Sequence, residues 1–221
     1  MQRWKKAVLW TTGSIFGALA AGVALILSVA PATGPSKGPK IPEYATPRTA
    51  LLVVDLQEDY TGPQAKQPYR DADRIVSFAN GLLASAQAKG ILVVHIKNEI
   101  ANPILKLLVG GINAPGEPGT EMDRRLLQVP GAKTFTKRNS DAFSNPEFDA
   151  FLRANQVNQV LITGLDGAMC VDATARGALG RGYAVTMFTG GIAIHGRVPM
   201  EALARGWREA GAVIKWAPGS F

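Results

Sequence analysis

The sequence predicts an α/β fold in which a mostly parallel central sheet lies between two layers of helices, a three-layer sandwich. From residue 48 onward, apolar runs of strand length alternate with segments of helical periodicity, which is the pattern of repeated βαβ units. The runs TALLVVDL and QVLITG are almost continuously apolar, as expected for strands that are buried on both faces. With 221 residues, 47% of them hydrophobic, the chain can bury one sizeable core, and it is neither a disordered chain nor a multi-span membrane protein.

Each element is predicted from its local pattern. Strands are expected over TALLVVDL, ILVVHI, AKTFTK, QVLITG, YAVTMF and AVIKW. Helices are expected over DADRIVSFANGLLASAQAKG, which ends in a Lys-Gly stop signal, over PEFDAFLRANQ, from Cys170 onward, and over PMEALARGWREAG. Sites in parallel sheets lie beyond the carboxyl ends of the strands. One rim is therefore expected to hold Asp55, the residues after His95, Lys137 and the Gly164–Cys170 turn.

Residues 1–32 have the pattern of a signal anchor or a signal peptide. Basic residues from Arg3 to Lys6 precede a run without any charged residue, from Ala7 to Ser36. The apolar part of this run is long enough to span a bilayer, for which ~20 residues suffice. Two outcomes stay open, a retained transmembrane anchor or cleavage near Ala30-Pro31-Ala32.

The rest of the chain is divided by composition. Residues 33–47 are rich in Pro and Gly and are expected to form an irregular linker. Residues 48–221 are expected to form the folded domain. The basic N-terminus favours export of this domain, so we expect it to be membrane-anchored or periplasmic, that is, extracytoplasmic.

The net charge of +7 is not spread over the folded domain. Residues 1–50 hold six basic side chains against one acidic, whereas the remaining residues hold 18 against 16. A protein that binds nucleic acid should carry its basic surface on the folded domain. The sequence therefore predicts no nucleic-acid partner.

Cys170 is the only cysteine, and it is placed where a predicted strand passes into a helix. A lone cysteine is more often an inert buried side chain than a nucleophile. A helix N-terminus, however, stabilises a thiolate and offers N–H groups to an oxyanion. Both interpretations stay open on position alone.

Asp55 and Lys137 have the same ambiguity. Asp55 ends the first predicted strand, where it could cap a loop or act as a general base. Lys137 could be an ordinary solvated charge, or a cation that holds a thiolate and orients the acid.

Three motifs follow one another along the chain. DLQEDY runs from Asp55 to Tyr60, KRNSDAF from Lys137 to Phe143, and GLDGAMCV, followed by Thr-Ala, begins at Gly164. In this order they resemble the motifs of the isochorismatase-like cysteine hydrolases, which include nicotinamidases and N-carbamoylsarcosine amidase. The resemblance covers about Arg48 to the C-terminus, with Asp141 where the family has a serine.

The resemblance implies the isochorismatase-like hydrolase fold and a catalytic triad of Asp55, Lys137 and Cys170. It also implies a cis peptide between Leu165 and Asp166, which would turn backbone N–H groups near Asp166 and Cys170 toward an oxyanion. In the implied mechanism Asp55 takes the thiol proton, the thiolate attacks a carbonyl carbon, and water releases the acid from a thioester.

The sequence departs from relatives in ways that bear on substrate and metal. True isochorismatases generally lack the cysteine, so its presence favours acyl chemistry. Nicotinamidases hold a metal with an Asp and two His, whereas this chain has only His95, inside a predicted strand, and His195, in a predicted loop. We therefore expect neither a metal nor another cofactor, and not nicotinamide as substrate. Asp166 and Gly167 replace the family's usual Ala and Thr, and the acid could point away or reject anionic substrates.

The remaining expectations concern the pocket and its use. The candidate pocket residues, each equally consistent with packing, are Gln57, Tyr60, Asn98, Phe143 and Met169, and Gln57 is also a candidate support for Asp55. Residues 101–123 are expected to form much of the pocket wall. By resemblance we expect a homo-oligomer.

The leading function is a metal-independent cysteine amidohydrolase that acts on a small amide or ureido compound. The rival is a catalytically silent binding module at the cell envelope, which the Asp166 and Gly167 departures motivate. A third possibility is a thiol redox or sensing role.

Overall fold

A computed structural model describes residues 33–217 of the chain. The predicted signal or anchor segment, residues 1–32, lies outside the described residues. Within residues 33–217, no helix has the length and apolar character needed to cross a membrane.

The folded domain alternates strands and helices as predicted. The strands are β1 (Arg48–Val54), β2 (Leu92–Asn98), β3 (Lys133–Lys137), β4 (Val157–Gly164), β5 (Ala184–Ile192) and β6 (Val213–Lys215). The α-helices are α1 (Glu58–Thr61), α2 (Ala72–Ala88), α3 (Pro103–Leu108), α4 (Pro146–Ala154), α5 (Cys170–Gly180) and α6 (Met200–Glu209). The short helices α1 and α3 were not predicted, because neither is long enough to show a helical period.

All six strands belong to one sheet of order β3-β2-β1-β4-β5-β6, and every pairing between them is parallel. The predicted α/β class with a parallel sheet is confirmed. Strand order reverses between β1 and β4, so a crevice opens there beyond the carboxyl ends of the strands.

Two hydrophobic cores cover the two faces of the sheet. On one face α4, α5 and α6 pack through side chains such as Phe148, Val171 and Trp207. On the other face α2 packs through a row that includes Ile75, Ala79 and Leu82. Successive residues of β1 alternate between the two cores, which explains why this strand is continuously apolar in sequence.

Strand β5 is longer than its apolar run indicated, since it continues through Thr189, Gly190 and Gly191 to Ile192. A Cβ atom at Gly191 would lie 2.5 Å from Cδ1 of Phe78. The glycines therefore let the Phe78 ring pack directly on the strand backbone. Their low strand propensity hid the strand from the sequence pattern.

The linker, residues 33–47, has neither helix nor strand, as expected, but it lies against the domain. Arg181 donates to the carbonyls of Ser36 and Lys37 at 2.9 and 3.1 Å, and Ile41 N–H donates to the Arg181 carbonyl at 2.8 Å. Ile41 also packs on the first core. The part of the linker from Ser36 to Ile41 is thus a docked strap and not a free tether.

Gly164, where β4 ends, offers a test of the fold. Its φ is +122°, and a Cβ there would lie 2.0 Å from the Val54 carbonyl oxygen. We expect Gly164→Ala to lower the free energy of unfolding by at least ~2 kcal/mol, because backbone strain and overpacking add. Chemical denaturation measures this.

Gly180→Ala is the matched control, since a Cβ at Gly180 meets nothing within 4 Å. It should be neutral or slightly stabilising, as alanine is the better helix former. Equal effects of the two substitutions would contradict the strand-end geometry.

Candidate active site

Three strand ends bring Asp55, Lys137 and Cys170 together. Asp55 follows β1 directly, Lys137 is the last residue of β3, and Cys170 is the first residue of α5, after β4. Asp55 has a φ of +52°, a left-handed conformation that Asp tolerates better than most residues. The predicted placement of these residues on one rim is confirmed.

The ammonium group of Lys137 joins the other two side chains. Lys137 Nζ lies 2.8 Å from Asp55 Oδ2 and 3.1 Å from Cys170 Sγ, to which it donates. Lys137 and Asp55 are only 1% and 3% exposed. Such burial of a lysine is rare without a paired charge, so the interpretation of Lys137 as solvated charge was wrong.

The second carboxylate oxygen of Asp55 makes no hydrogen bond to Lys137. Asp55 Oδ1 is buried and has no hydrogen-bond partner among the described residues. An unpartnered oxygen of a buried carboxylate is costly. It is the atom of this cluster that is able to take up a proton.

Burial dominates the electrostatics of the cluster. It raises the pKa of Asp55 above its usual value, although the Lys137 ammonium opposes the shift. Burial would lower the pKa of Lys137, but the Asp55 carboxylate and Cys170 together hold it above its ordinary value. The lysine is therefore charged, and the aspartate is a stronger base than an exposed one.

Burial, and next the negative charge of Asp55, raise the pKa of the Cys170 thiol to about 12. The position of Cys170 at a helix N-terminus left open a stabilised thiolate. The structure favours a neutral thiol in the resting site, because the helix end does not offset desolvation and a carboxylate. Cys170 is a neutral thiol until a base removes its proton.

The turn between β4 and α5 contains no cis peptide. All peptide bonds in residues 33–217 are trans, so the expected cis bond between Leu165 and Asp166 was wrong. Hydrogen bonds on both sides hold the trans turn, from Leu165 N–H to the Val54 carbonyl at 2.9 Å and from Gly167 N–H to the Ala193 carbonyl at 2.8 Å. The amides of Ala168 and Met169 donate to the Asp166 side chain and carbonyl. The amides of Asp166 and Cys170 remain as candidate oxyanion donors.

The Asp166 carboxylate is held by the loop around it. Its Oδ2 accepts from the Tyr69 hydroxyl at 3.0 Å and from the His195 backbone N–H. Its Oδ1 accepts from the Ala168 N–H at 2.7 Å. Asp166 therefore ties the turn to the loop after β5, and it still borders the cavity described next.

Close packing explains why residue 167 is a glycine. A Cβ there would lie 2.9 Å from side-chain carbons of both Ile192 and Ile194. The glycine lets the end of β5 and the following loop approach the turn, so a threonine at this position would push that loop away.

A cavity of about 540 Å³ opens over the three strand ends, a volume typical of small-molecule sites. Asp55 and Cys170 lie in its wall, together with Tyr60, Asn98 and Met169, so the structure places three of the predicted pocket residues there. Asn102, Leu105 and Val109, on and beside α3, form one side, as expected for part of the segment 101–123.

Two predicted pocket residues lie elsewhere. Gln57 is fully buried and clamps β2, since its side chain donates to the Asn98 carbonyl at 3.0 Å and accepts from the Asn98 N–H at 2.9 Å. Phe143 packs in the core against Phe148, with ring centroids 4.9 Å apart, and under the Arg181 guanidinium. Both were wrong as pocket residues, because the sequence motif does not tell which way a side chain points.

Sequence reasoning missed several cavity residues. Tyr69 and His195 lie in the wall and meet edge to face, with ring centroids 5.5 Å apart. Neither belongs to a motif, and both are on loops that only the fold brings to the rim. His95 is buried in β2, as expected.

The strap holds the loop that follows Lys137. Asp141 is 1% exposed, and its Oδ2 accepts from the Ser36 N–H at 2.7 Å and the Ser36 hydroxyl at 2.6 Å. Burial raises the pKa of Asp141 against these bonds. Asp141, which replaces the family's serine, thus has its partner in the N-terminal strap.

The part of the chain that the structure describes contains no candidate metal site. Residues 33–217 contain no group of three or more His, Cys, Asp or Glu side chains that could hold an ion. The expectation that the chain needs no metal remains a prediction.

Comparison with known protein families identifies the family of this chain. The sequence profile of the Isochorismatase domain matches residues 49–212, most of the chain, and the chain therefore belongs to the isochorismatase family.

Similar proteins include a hydrolase and an amidase. A streptothricin hydrolase from Streptomyces noursei is 35% identical over 141 residues, which cover 64% of this chain and 52% of that protein. An N-carbamoylsarcosine amidase from Arthrobacter is 24% identical over 147 residues, 62% of this chain and 56% of that protein. The chain spans about half the length of the streptothricin hydrolases that it matches.

Solved structures share the fold. N-carbamoylsarcosine amidase from Thermoplasma acidophilum has a TM-score of 0.69 at 23% identity, covering 79% of this chain and 98% of that one. Pyrazinamidase of Pyrococcus horikoshii, solved in complex with zinc, has a TM-score of 0.67 at 26% identity, covering 76% and 99%.

The strap makes a stability prediction. Ser36→Ala removes the hydroxyl that donates to buried Asp141 and accepts from Arg181. We expect a loss of about 1–3 kcal/mol in the free energy of unfolding, because the carboxylate loses a donor. Ser77→Ala, at an exposed position of α2, is the control and should change little. A Ser36→Ala protein as stable as the wild type would mean that the strap is not docked in solution.

The thiol makes a pH prediction. Because the pKa of Cys170 is raised to about 12, the rate of alkylation by iodoacetamide should still be rising at pH 9. Asp55→Asn removes a negative charge that raises this pKa, so its rate profile should shift to lower pH. Asp71→Asn, at an exposed position, should leave the profile unchanged. A wild-type plateau below pH 7 would show a preformed thiolate and contradict this electrostatic account.

Proposed function

We propose that the chain is a metal-independent cysteine hydrolase that cleaves the C–N bond of a small amide or ureido compound. The observation that carries the proposal is the contact of Lys137 Nζ with both Asp55 Oδ2 and Cys170 Sγ, at the wall of the cavity. A binding module has no need of a buried acid, cation and thiol in contact. Relatives that are named as an amidase and as amidohydrolases support the same reaction class.

Proton transfer to Asp55 starts the proposed reaction. Asp55 Oδ1, which has no hydrogen-bond partner among residues 33–217, takes the Cys170 proton as the sulfur bonds to the carbonyl carbon. The raised pKa of Asp55 brings it nearer to that of its thiol partner, which eases the transfer. Lys137 stays charged and stabilises the anionic sulfur as it forms.

The tetrahedral oxyanion is held by backbone amides, for which those of Asp166 and Cys170 are our candidates. When the C–N bond breaks, Asp55 returns the proton to the leaving nitrogen, and ammonia or an amine departs. A thioester on Cys170 remains. Water, deprotonated by Asp55, attacks it, releases the acid and restores the thiol.

The cavity favours neutral or cationic substrates. The carboxylates of Asp166 and Glu99 border it, and its principal cation, Arg138, is largely exposed, with 68% of its side chain accessible. Apolar side chains such as Ile100, Leu105 and Leu165 also line the wall. A small amide with an apolar body fits this lining better than one with a carboxylate.

The location is also a proposal. The uncharged run that begins at Ala7 behind three basic residues supports an exported domain that is held at the membrane by its N-terminus. Retention of the full chain in carbonate-washed membranes, but not of a chain lacking residues 7–30, is the test of this tether.

Turnover tests the hydrolase proposal directly. On a panel of small amides, with release of ammonia or amine as the readout, we expect Asp55→Asn to lower kcat by about 10³-fold, because general-base catalysis is lost. Cys170→Ser should be inactive. Asp71→Asn serves as the exposed control. A chain that binds amides but never turns them over would instead be the silent binding module.

Substrate charge gives a second prediction. Asp166→Asn should raise kcat/KM for an anionic amide relative to a matched neutral amide by about tenfold, since one repulsive charge at the cavity wall is removed. The ratio of the two kcat/KM values isolates selectivity from any general loss. An unchanged ratio would mean that Asp166 serves the turn alone.

A further inference from the structure

Helix α3, Pro103–Leu108, is apolar on its outer surface. The exposed fractions of Ile104, Leu107 and Leu108 are 42%, 82% and 61%, and none of the helix residues is buried. Lys106 is the only charged residue of the helix. A surface helix normally turns polar residues outward, so this clustered apolar surface, Ile104, Leu107 and Leu108, indicates a partner.

The same helix forms a wall of the cavity. Leu105, and Val109 just after the helix, lie in that wall. Whatever covers the outer apolar surface of α3 therefore lies next to the mouth of the cavity.

The N-terminal chain contacts the domain next to one residue of the cavity wall. Ser36 is hydrogen-bonded to Asp141, and the preceding residue, Ser140, lies in the cavity wall. The described part of the chain begins at Thr33, three residues before Ser36. Even fully extended, a chain of this length spans only about 10 Å, so Thr33 lies within that distance of Ser36.

The sequence before this point suits a lipid environment. No charged residue occurs from Ala7 to Ser36, and a bilayer requires ~20 such residues. The domain also carries exposed cations here. Lys106 is an exposed residue of α3, and Arg138, in the cavity wall, is 68% accessible and lies 3.7 Å from Glu99. Apolar residues flanked by basic ones fit the interface of a bilayer that contains anionic lipids.

We propose that the apolar surface of α3 docks on a lipid bilayer, so that the mouth of the cavity lies at the membrane surface. The proposal rests on the membrane tether proposed above. Leu107 and Leu108 enter the headgroup region, and Lys106 with Arg138 faces the anionic headgroups. The cavity then takes amides that partition into the membrane interface.

Fluorescence quenching by lipids tests the docking on the full chain. Leu107→Cys is placed in the Cys170→Ser background, labelled with an environment-sensitive fluorophore, and reconstituted into vesicles of phosphatidylcholine and phosphatidylglycerol. The control is Ala88→Cys in the same background. Residue 88 is exposed at the end of α2, just before β2 begins and so at the end of the sheet opposite to the cavity. The readout is quenching by lipids with brominated acyl chains.

We expect quenching at residue 107 to exceed that at residue 88 several-fold. Equal quenching at the two residues, or none at 107 in a chain that stays in carbonate-washed vesicles, would overturn the docking while the tether stands. If residue 107 is quenched but carbonate extracts the chain from the vesicles, the docking is supported and the N-terminal tether is contradicted.

A second copy of the chain is the other candidate to cover α3. Oxidation of unlabelled Leu107→Cys in the vesicles distinguishes it, because a dimer interface through this helix gives a covalent dimer in high yield. That outcome would overturn the proposal in favour of an interface between copies.

Discussion

The buried ion pair between Lys137 and Asp55 is the interaction on which the site depends. Each charge is removed from water, which costs several kcal/mol per ion, and only their mutual contact and the Cys170 sulfur offset that cost. Loss of either partner would leave the other charge unpaired in the interior. The contact keeps a charged ammonium beside the neutral thiol. Burial, against the effect of that ammonium, keeps Asp55 a stronger base than an exposed carboxylate.

The parallel sheet makes this pair possible. Asp55, Lys137 and Cys170 are far apart in sequence, and they meet because β1, β3 and β4 end at one rim. The strap binds another buried carboxylate, that of Asp141, whose partner Ser36 comes from outside the predicted domain boundary. The linker that leads away from the domain is thus part of the structure that fixes the loop after Lys137.

The sequence was sufficient for most of the fold because burial on both faces leaves a clear apolar pattern in β1 and β4. It failed at β5, where glycines that make room for Phe78 interrupt that pattern, and at α3, which is too short for a period. The grouping of Asp55, Lys137 and Cys170 followed from strand order and motifs. The direction of Gln57 and Phe143, the trans turn at Leu165 and the high pKa of the thiol did not, because these depend on packing and desolvation.

The central claim is that Cys170 forms the covalent intermediate. The most direct measurement is peptide mass spectrometry of the full chain, acid-quenched during turnover of an amide that it cleaves. The account predicts the mass of the acyl group on the peptide that contains Cys170, and none in the Cys170→Ser chain. Sustained turnover with the Cys170 peptide unmodified at every quench time, and undiminished in Cys170→Ser, would contradict it.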